Sequence, residues 1–189
     1  MIGVDVGICN TAYTVILLPK LKTVRSIPSF DTVKHVTFVA AKWLVTKPVK
    51  KSSSKVRDYA RRVGEICAEL LHVRACIPED ADVLWACETF VINPTQRISA
   101  ATIQTLAVYG AVQGLALASK DLFMPVTPRQ GKVKLLGKQK GSKEATIAAL
   151  GDRVQAVCKK KIPKGKMEHV ADAAAVALAG LHMFAETSF

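Results

Sequence analysis

The order of segments along the chain is its strongest constraint. An apolar, β-rich run, Ile2–Val6, is punctuated by Gly7, and a second such run follows at Thr11–Leu18. The two are expected to form a hairpin around Gly7–Asn10. A third strand is expected within Val33–Ala40. After Pro48 and Ser52–Ser54 the periodicity changes, and Ser54 is placed to cap a helix reaching about His72. On that helix Val56, Tyr59, Ala60, Val63, Ile66, Cys67, Leu70 and Leu71 recur at helical spacing. Arg57, Arg61, Arg62, Glu65 and Glu69 fall opposite them.

The remaining segments alternate. Val83–Cys87 is a compact strand, and an apolar helix then opens at Ser99 or at Pro94–Thr95 and runs to about Lys120. Leu122–Val126 is a further strand, ending at Thr127-Pro128. Arg129–Lys140 is expected to be a basic, Gly-containing loop. Ser142 caps a helix to about Cys158, Lys159–Lys166 is a basic linker, and Val170–Phe184 is a last, apolar helix. A hairpin followed by alternating helices and strands implies an α/β fold, a mixed sheet with helices on its faces. With 189 residues, half of them hydrophobic, the chain suits one domain spanning 1–189 with a real core.

Charge narrows the class of partner. There are 27 Lys and Arg against 15 Asp and Glu, a formal charge of +12. Such an excess favours a polyanion, foremost a nucleic acid. The charge is clustered. Lys42–Arg62 holds eight basic residues and one acid; Arg129–Lys143 holds six and Lys159–Lys166 five, neither with an acid. A basic cluster is usually a solvated face, but the second and third flank acidic groups in sequence, which favours phosphate contact. The odd set Cys9, Cys67, Cys76, Cys87 and Cys158 contains no CxxC. It signals neither a disulfide framework nor a zinc module, and most of these read as small buried residues in a reducing compartment. Nothing ahead of Ile2 resembles a signal peptide. Gln104 and Gln113 interrupt the apolar stretch Ala100–Ala118, which reads as a buried helix, with no membrane partner expected.

Four groups carry the chemistry. Asp5 lies inside the first apolar strand, and Glu88 follows Val83–Cys87 directly. His169 and Asp172 stand three apart at the start of the last helix and so share a face. Each alone has an ordinary explanation: a turn acceptor, a solvent-facing strand end, a helix-start residue, a carboxylate at a positive helix end. Together they fall at the ends of core elements, where one sheet can gather them. Hard divalent cations take carboxylate oxygens, and two ions about 4 Å apart clamp a phosphodiester.

These residues resemble a known family. Gly3-Val4-Asp5-Val6-Gly7 resembles the first motif of RuvC-type Holliday junction resolvases, and Trp85-Ala86-Cys87-Glu88-Thr89-Phe90 resembles the second. Arg129-Gln130, the lysines after it, and Gly141-Ser142-Lys143-Glu144 are similar to the basic segment and helix start before the last motif. His169-Val170-Ala171-Asp172-Ala173-Ala174 is similar to that last motif. The resemblance implies an RNase H-like fold, a mixed five-stranded sheet with helices on both faces. It implies a nuclease that makes paired nicks in four-way DNA junctions as a homodimer. Asp5, Glu88, His169 and Asp172 would be the metal and catalytic set for two Mg²⁺ ions, with Mn²⁺ able to substitute because His169 is a ligand both tolerate. Lys143 would act near the scissile phosphate, and Arg129, Lys132, Lys134, Lys138 and Lys140 would contact DNA. Phe90 would be the aromatic near the junction centre. The basic Lys42–Lys55 segment suits a phage-type or divergent relative. The implied setting is the cytoplasm of a bacterial or phage-infected cell, or another reducing compartment with DNA.

The helix Ser99–Lys120 is apolar nearly all round, through Ile103, Leu106, Tyr109, Val112 and Leu115, so a second subunit is a natural cover. Three rivals remain. Asp5-Val6-Gly7-Ile8-Cys9-Asn10-Thr11 also resembles the first phosphate loop of actin-like ATPases and sugar kinases, but the chain is too short for two lobes and shows no second loop of that kind. A non-catalytic DNA-binding protein would explain the basic charge but not acidic groups facing phosphate. A flap or RNA–DNA hybrid nuclease would use the same site on another substrate.

Overall fold

The structure is a computed structural model, and it describes residues 1–17, 36–49, 54–89, 98–136 and 142–187. Five strands form one mixed sheet: β1 (Ile2–Asp5), β2 (Asn10–Leu17), β3 (Thr37–Val45), β4 (Leu84–Glu88) and β5 (Leu122–Val126), in the spatial order β3-β2-β1-β4-β5. β1 pairs antiparallel with β2, and β2 with β3, as a hairpin and its continuation require. β4 and β5 run parallel to β1. Parallel pairs need crossovers, and the helices supply them. These are α1 (Lys55–Ala75), α2 (Ala100–Ala118), α3 (Pro128–Leu136), α4 (Lys143–Val157) and α5 (Met167–Thr187).

Strand alternation divides the sheet into two faces. Ile2, Val4, Trp85 and Cys87 meet Ile66 and Leu70 of α1 and Val108 and Val112 of α2. On the other face Ala12, Ile16 and Leu84 meet Leu135 of α3, Leu150 of α4 and the alanine-rich side of α5. The α/β architecture with helices on both faces agrees with the sequence reading.

Four elements depart from it. β3 begins at Thr37 and ends at Val45, further along than Val33–Ala40. It is an edge strand paired with β2 along its length, and Lys42 within it reaches Glu69 of α1 with its ammonium at 2.8 Å. Glu88 is the last residue of β4 rather than the residue after it. The expected loop Arg129–Lys140 is instead a helix as far as Leu136. Gln130 accepts from the Thr127 backbone N–H at 2.7 Å, while the Thr127 hydroxyl accepts from the Gln130 N–H at 3.3 Å. This is a reciprocal capping box with Pro128 at the first helical position. The last helix starts at Met167, three residues before Val170, and continues a 3₁₀ turn at Lys164–Lys166 within the expected linker.

Burial also differs from expectation on α1 and α2. α1 turns Arg62, Ile66, Leu70 and Val73 inward, while Val56 is 76% exposed and Leu71 is exposed. On α2 only Val108, Val112 and Ala116 are buried, a single stripe. Both α2 and α5 are long and apolar enough to cross a bilayer by length and composition, but α5 is 72% buried against the sheet and α2 only 17%. Of the cysteines only Cys87 is buried; Cys9 and Cys76 are exposed, and all five are free thiols.

Candidate active site

The parallel register of β1 and β4 sets Gly3 beside Ala86 and Val4 beside Cys87, so continuing it brings Asp5 level with Glu88. Alternation puts Gly3, Asp5, Ala86 and Glu88 on the α5 face. The first member of each pair is small where α5 crosses. A β-carbon on Gly3 would stand 2.2 Å from the Ala173 carbonyl oxygen, and one on Gly180 would stand 2.5 Å from the Ala86 β-carbon. The helix therefore lies on the sheet almost backbone to backbone. One strand period beyond, about 6.6 Å along β1, come the carboxylates. One helical turn before Ala173, about 6 Å along α5, comes His169. The two steps match, and His169 Nδ1 lies 3.1 Å from Asp5 Oδ2.

The cluster is electrostatically crowded. Burial pushes the Glu88 carboxyl up to about 9, helped by a hydrogen bond with Asp5 and by the charges of Asp5 and Asp172. Burial, and then the charge of Asp5, pushes Asp172 up to about 6. Its hydrogen bond to Asp5 raises His169, against the opposing effect of burial. Cys87, behind the site, is pushed well up by burial and the same carboxylates. Carboxyl groups forced to keep protons near neutral pH mark a place where negative charge outruns its compensation.

The basic residues from the sequence reading divide. Lys132 and Lys143 both act electrostatically on Asp172, and Lys132 also on Glu88. Lys143, the first residue of α4, ion-pairs with Glu168 at 2.9 Å. Lys134 is two residues from Lys132 on α3, so it leaves by the other side of the helix. It pairs with Glu186 near the far end of α5 and is not brought to the cluster. Arg129 is exposed in the first turn of α3. Phe90, Lys138 and Lys140 lie outside the described residues.

Beside the cluster is an open cleft of about 260 Å³. It is lined by the turn Val6–Asn10, by Ala101 and Thr105 of α2, and by Asp5 and His169 of the cluster. Arg62, named from its periodicity as part of a solvent face, holds the turn from behind. Its guanidinium is buried and donates to the Ile8 carbonyl at 3.2 Å, the Thr46 hydroxyl at 3.1 Å and Cys9 Sγ at 3.0 Å.

Among the described residues, no three His, Cys, Asp or Glu groups are arranged, as they stand, to hold a metal ion. The side chains satisfy one another instead: Asp5 is engaged by the His169 ring and by the Glu88 carboxyl. The donor set is nonetheless three carboxylates and one imidazole, the chemistry that hard divalent cations take. A cation would offset the burial and the mutual repulsion that now raise Glu88 and Asp172.

No protein-family model matches the chain, and no curated protein matches it in sequence. Solved structures do match. RuvC of Thermus thermophilus has a TM-score of 0.62 at 21% identity, over 100% of this chain and 97% of that one. The same protein in complex with a Holliday junction substrate has a TM-score of 0.65 at 20% identity, over 98% of this chain and 96% of that one. The yeast mitochondrial Holliday junction resolvase has a TM-score of 0.56 at 15% identity, over 100% of this chain and 83% of that one. Fowlpox virus resolvase, bound to junction DNA, has a TM-score of 0.52 at 11% identity, over 94% of this chain and 95% of that one. The fold is that of RuvC and other Holliday junction resolvases.

Proposed function

We propose that this chain is a divalent-cation-dependent endonuclease that nicks branched DNA, with the four-way junction as its substrate and a homodimer as its working form. The observation that carries the reading is the convergence of Asp5, Glu88, His169 and Asp172, from β1, β4 and α5, on one point of a fold shared with junction resolvases. The net charge of +12 suits a DNA partner.

Asp5, Glu88 and Asp172 would hold Mg²⁺, and His169 would make Mn²⁺ an acceptable replacement. Such ions, when bound, polarise the phosphodiester and lower the pKa of water. The chain's own groups do the rest. His169 fixes the Asp5 carboxylate through Nδ1. Lys132 and Lys143 bring positive charge to the rim of an otherwise anionic site, where a phosphate must approach. Glu168 orients the Lys143 ammonium.

The dimer reading rests on α2. Ile103, Ala107, Gly110, Gly114 and Leu117 form an exposed stripe, with Ile103 59% and Leu117 64% exposed. A β-carbon on either glycine would meet nothing within 4 Å. The spacing is that of a helix–helix seam, and small residues at its centre permit close approach. Two copies joined there would offer two identical sites to the symmetry-related strands of a junction.

The test is incubation with Mg²⁺ or Mn²⁺ and a panel of four-way junction, flap, RNA–DNA hybrid and linear duplex. Paired nicks in the four-way junction, lost in Asp5→Asn, are expected. Cutting of flap or hybrid alone would reassign the substrate. No cutting of any member with either ion would leave a DNA-binding protein without this chemistry.

A further inference from the structure

The cleft beside the cluster has a wall that is built, not merely present. Arg62 holds the carbonyl of Ile8 and Cys9 Sγ from the α1 side. The Thr46 hydroxyl donates to the Ile8 carbonyl, and the Thr11 hydroxyl donates to the Gly7 carbonyl at 2.6 Å. The turn is thus fixed by β2, by Thr46 just past β3, and by α1 at once. At its end stands Asn10, whose Oδ1 accepts from Trp43 Nε1 at 3.2 Å. An indole N–H can only donate, so the amide oxygen must face Trp43. The orientation of the amide is thereby set, and its NH₂ group lies on the other side. Among the described residues that nitrogen has no partner, and no buried side-chain nitrogen or oxygen lacks one, so the Asn10 NH₂ is open to solvent. Trp43 is itself held, with Lys166 Nζ 5.5 Å from its ring centroid.

We propose that this cleft is a nucleotide subsite next to the scissile phosphate, and that Asn10 reads the base in it as a hydrogen-bond donor oriented by Trp43. The assignment rests on the nuclease reading above. Its geometry follows from continuity: Asp5 and His169 also line the cleft, so a strand whose phosphate lies at the cluster has room for a neighbouring nucleoside beside the turn. The walls suit an unstacked base. Ala101 offers apolar contact, while Thr105 spends its hydroxyl proton on the Ala101 carbonyl and has none left to donate. An asparagine free in both halves of its amide would pair with adenine through a donor and an acceptor. With its oxygen turned to Trp43, Asn10 presents donors only. On the major-groove edge it can therefore donate to guanine O6 or N7, thymine O4 or adenine N7, and it disfavours cytosine, whose N4 amino group on that edge only donates.

Trp43 is a positioning residue in this scheme, since it acts through Asn10. The experiment cuts a set of four-way junctions carrying every dinucleotide across the crossover, with Mg²⁺, and maps the cleavage sites of wild type, Asn10→Ala, Asn10→Asp and Trp43→Phe. Wild type is expected to disfavour cytosine at one position flanking the cut by about five- to tenfold, the worth of one hydrogen bond. Asn10→Ala should flatten that preference at that position alone. Asn10→Asp keeps the acceptor for Trp43 but puts an acceptor where the donors stood, and should reverse the preference towards cytosine, whose N4 donates. Trp43→Phe should weaken it partway, and adding Trp43→Phe to Asn10→Ala should change the profile no further. A purely structural role would lower cutting at all sequences together. An unchanged profile in Asn10→Ala, or no preference in wild type, overturns the subsite while leaving the nuclease reading intact. A wild-type protein that cuts no branched DNA overturns both.

Discussion

Gly3 and Ala173 meet so closely that no side chain fits between them: a β-carbon on Gly3 would stand 2.2 Å from the Ala173 carbonyl oxygen and 2.6 Å from the Ala177 β-carbon. The obstruction is helix backbone, which cannot swing aside. Gly3→Ala must therefore lift α5 from the sheet, and α5 carries His169 and Asp172. The expected loss is about 1–3 kcal/mol of stability, the usual range for overpacking. Cutting should fall at least a hundredfold, because a misplacement of about 1 Å in a catalytic constellation costs that much. Gly64→Ala, in α1 with nothing within 4 Å of the added carbon, is the control and should be neutral or slightly stabilising. Thermal unfolding and junction-cutting rates measured on both variants decide it.

That contact shows how much of the site could be read from the sequence. Asp5, Glu88, His169 and Asp172 were legible because strand alternation and the three-residue helical step are local rules. That His169 and Asp172 share one helix face was legible too. What brings α5 down onto β1 and β4 was not, because Gly3, Ala86 and Gly180 are far apart in sequence and small residues carry no periodic signal. Arg62 was misassigned for a related reason. Amphipathic reading counts arginine as a surface residue, but here carbonyls and hydroxyls of the Val6–Asn10 turn and of Thr46 just past β3 satisfy a buried guanidinium. Helix α3 was missed because Pro128, Gly131 and three basic residues suggest a loop. The spacing Thr127-Pro128-Arg129-Gln130 could have revealed it, being a capping box with proline at the first helical position.

Lys132 and Lys134 should behave differently, although two residues separate them. Lys132 acts electrostatically on Glu88 and Asp172, whereas Lys134 is committed to Glu186. Lys132→Ala is expected to weaken junction binding, flatten its log–log salt dependence by up to about 0.9, and slow cutting. Lys134→Ala should leave all three nearly unchanged. Binding titrations across a range of salt concentrations test this, and equal effects from the two variants would place the DNA elsewhere on α3.

The crowded carboxyls give a pH dependence of known sign. Glu88 is held up at about 9 and Asp172 at about 6 in the folded protein, whereas unfolded carboxyls release their protons near pH 4. The folded state thus binds more protons. These two groups contribute stability that is complete below their unfolded pKa values and is lost as pH rises through about 6 and then about 9. The Met1 amino group, pushed down to about 6 by burial, works the other way, so the slope of wild type alone does not isolate the site. The difference between wild type and Glu88→Gln does. In a chelator at about pH 8, Glu88→Gln is expected to raise the thermal midpoint by about 2–4 °C, on the scale of 1 kcal/mol for a chain of this size. The gain should shrink towards pH 5. Mg²⁺ should stabilise wild type and do so far less in the variant. A variant no more stable than wild type at pH 8 would mean that Glu88 feels no such repulsion.

The exposed stripe on α2 yields an outcome that separates interface from core. Val112 is fully buried inside one subunit, so a charge there would unfold the monomer and say nothing about assembly. Gly110 and Ile103 lie on the other side of the helix, Gly110 with open space around it and Ile103 59% exposed. Gly110→Leu adds bulk where two helices would need to approach closely, yet meets nothing in its own chain. Removing a glycine from a helix interior should even stabilise the monomer by about 0.5–1 kcal/mol. Ile103→Glu places a charge where the partner's apolar surface would lie, at little cost to an isolated subunit. Both variants are therefore expected to keep the helical circular dichroism and thermal midpoint of the fold while halving the mass seen by sedimentation. On a four-way junction with Mg²⁺, they should convert paired nicks into uncoordinated single nicks, because each site then acts alone. If wild type sediments as a monomer at micromolar concentration, and stays monomeric on the junction, the stripe is no dimer seam and the paired-nick reading gives way to a single-nick nuclease.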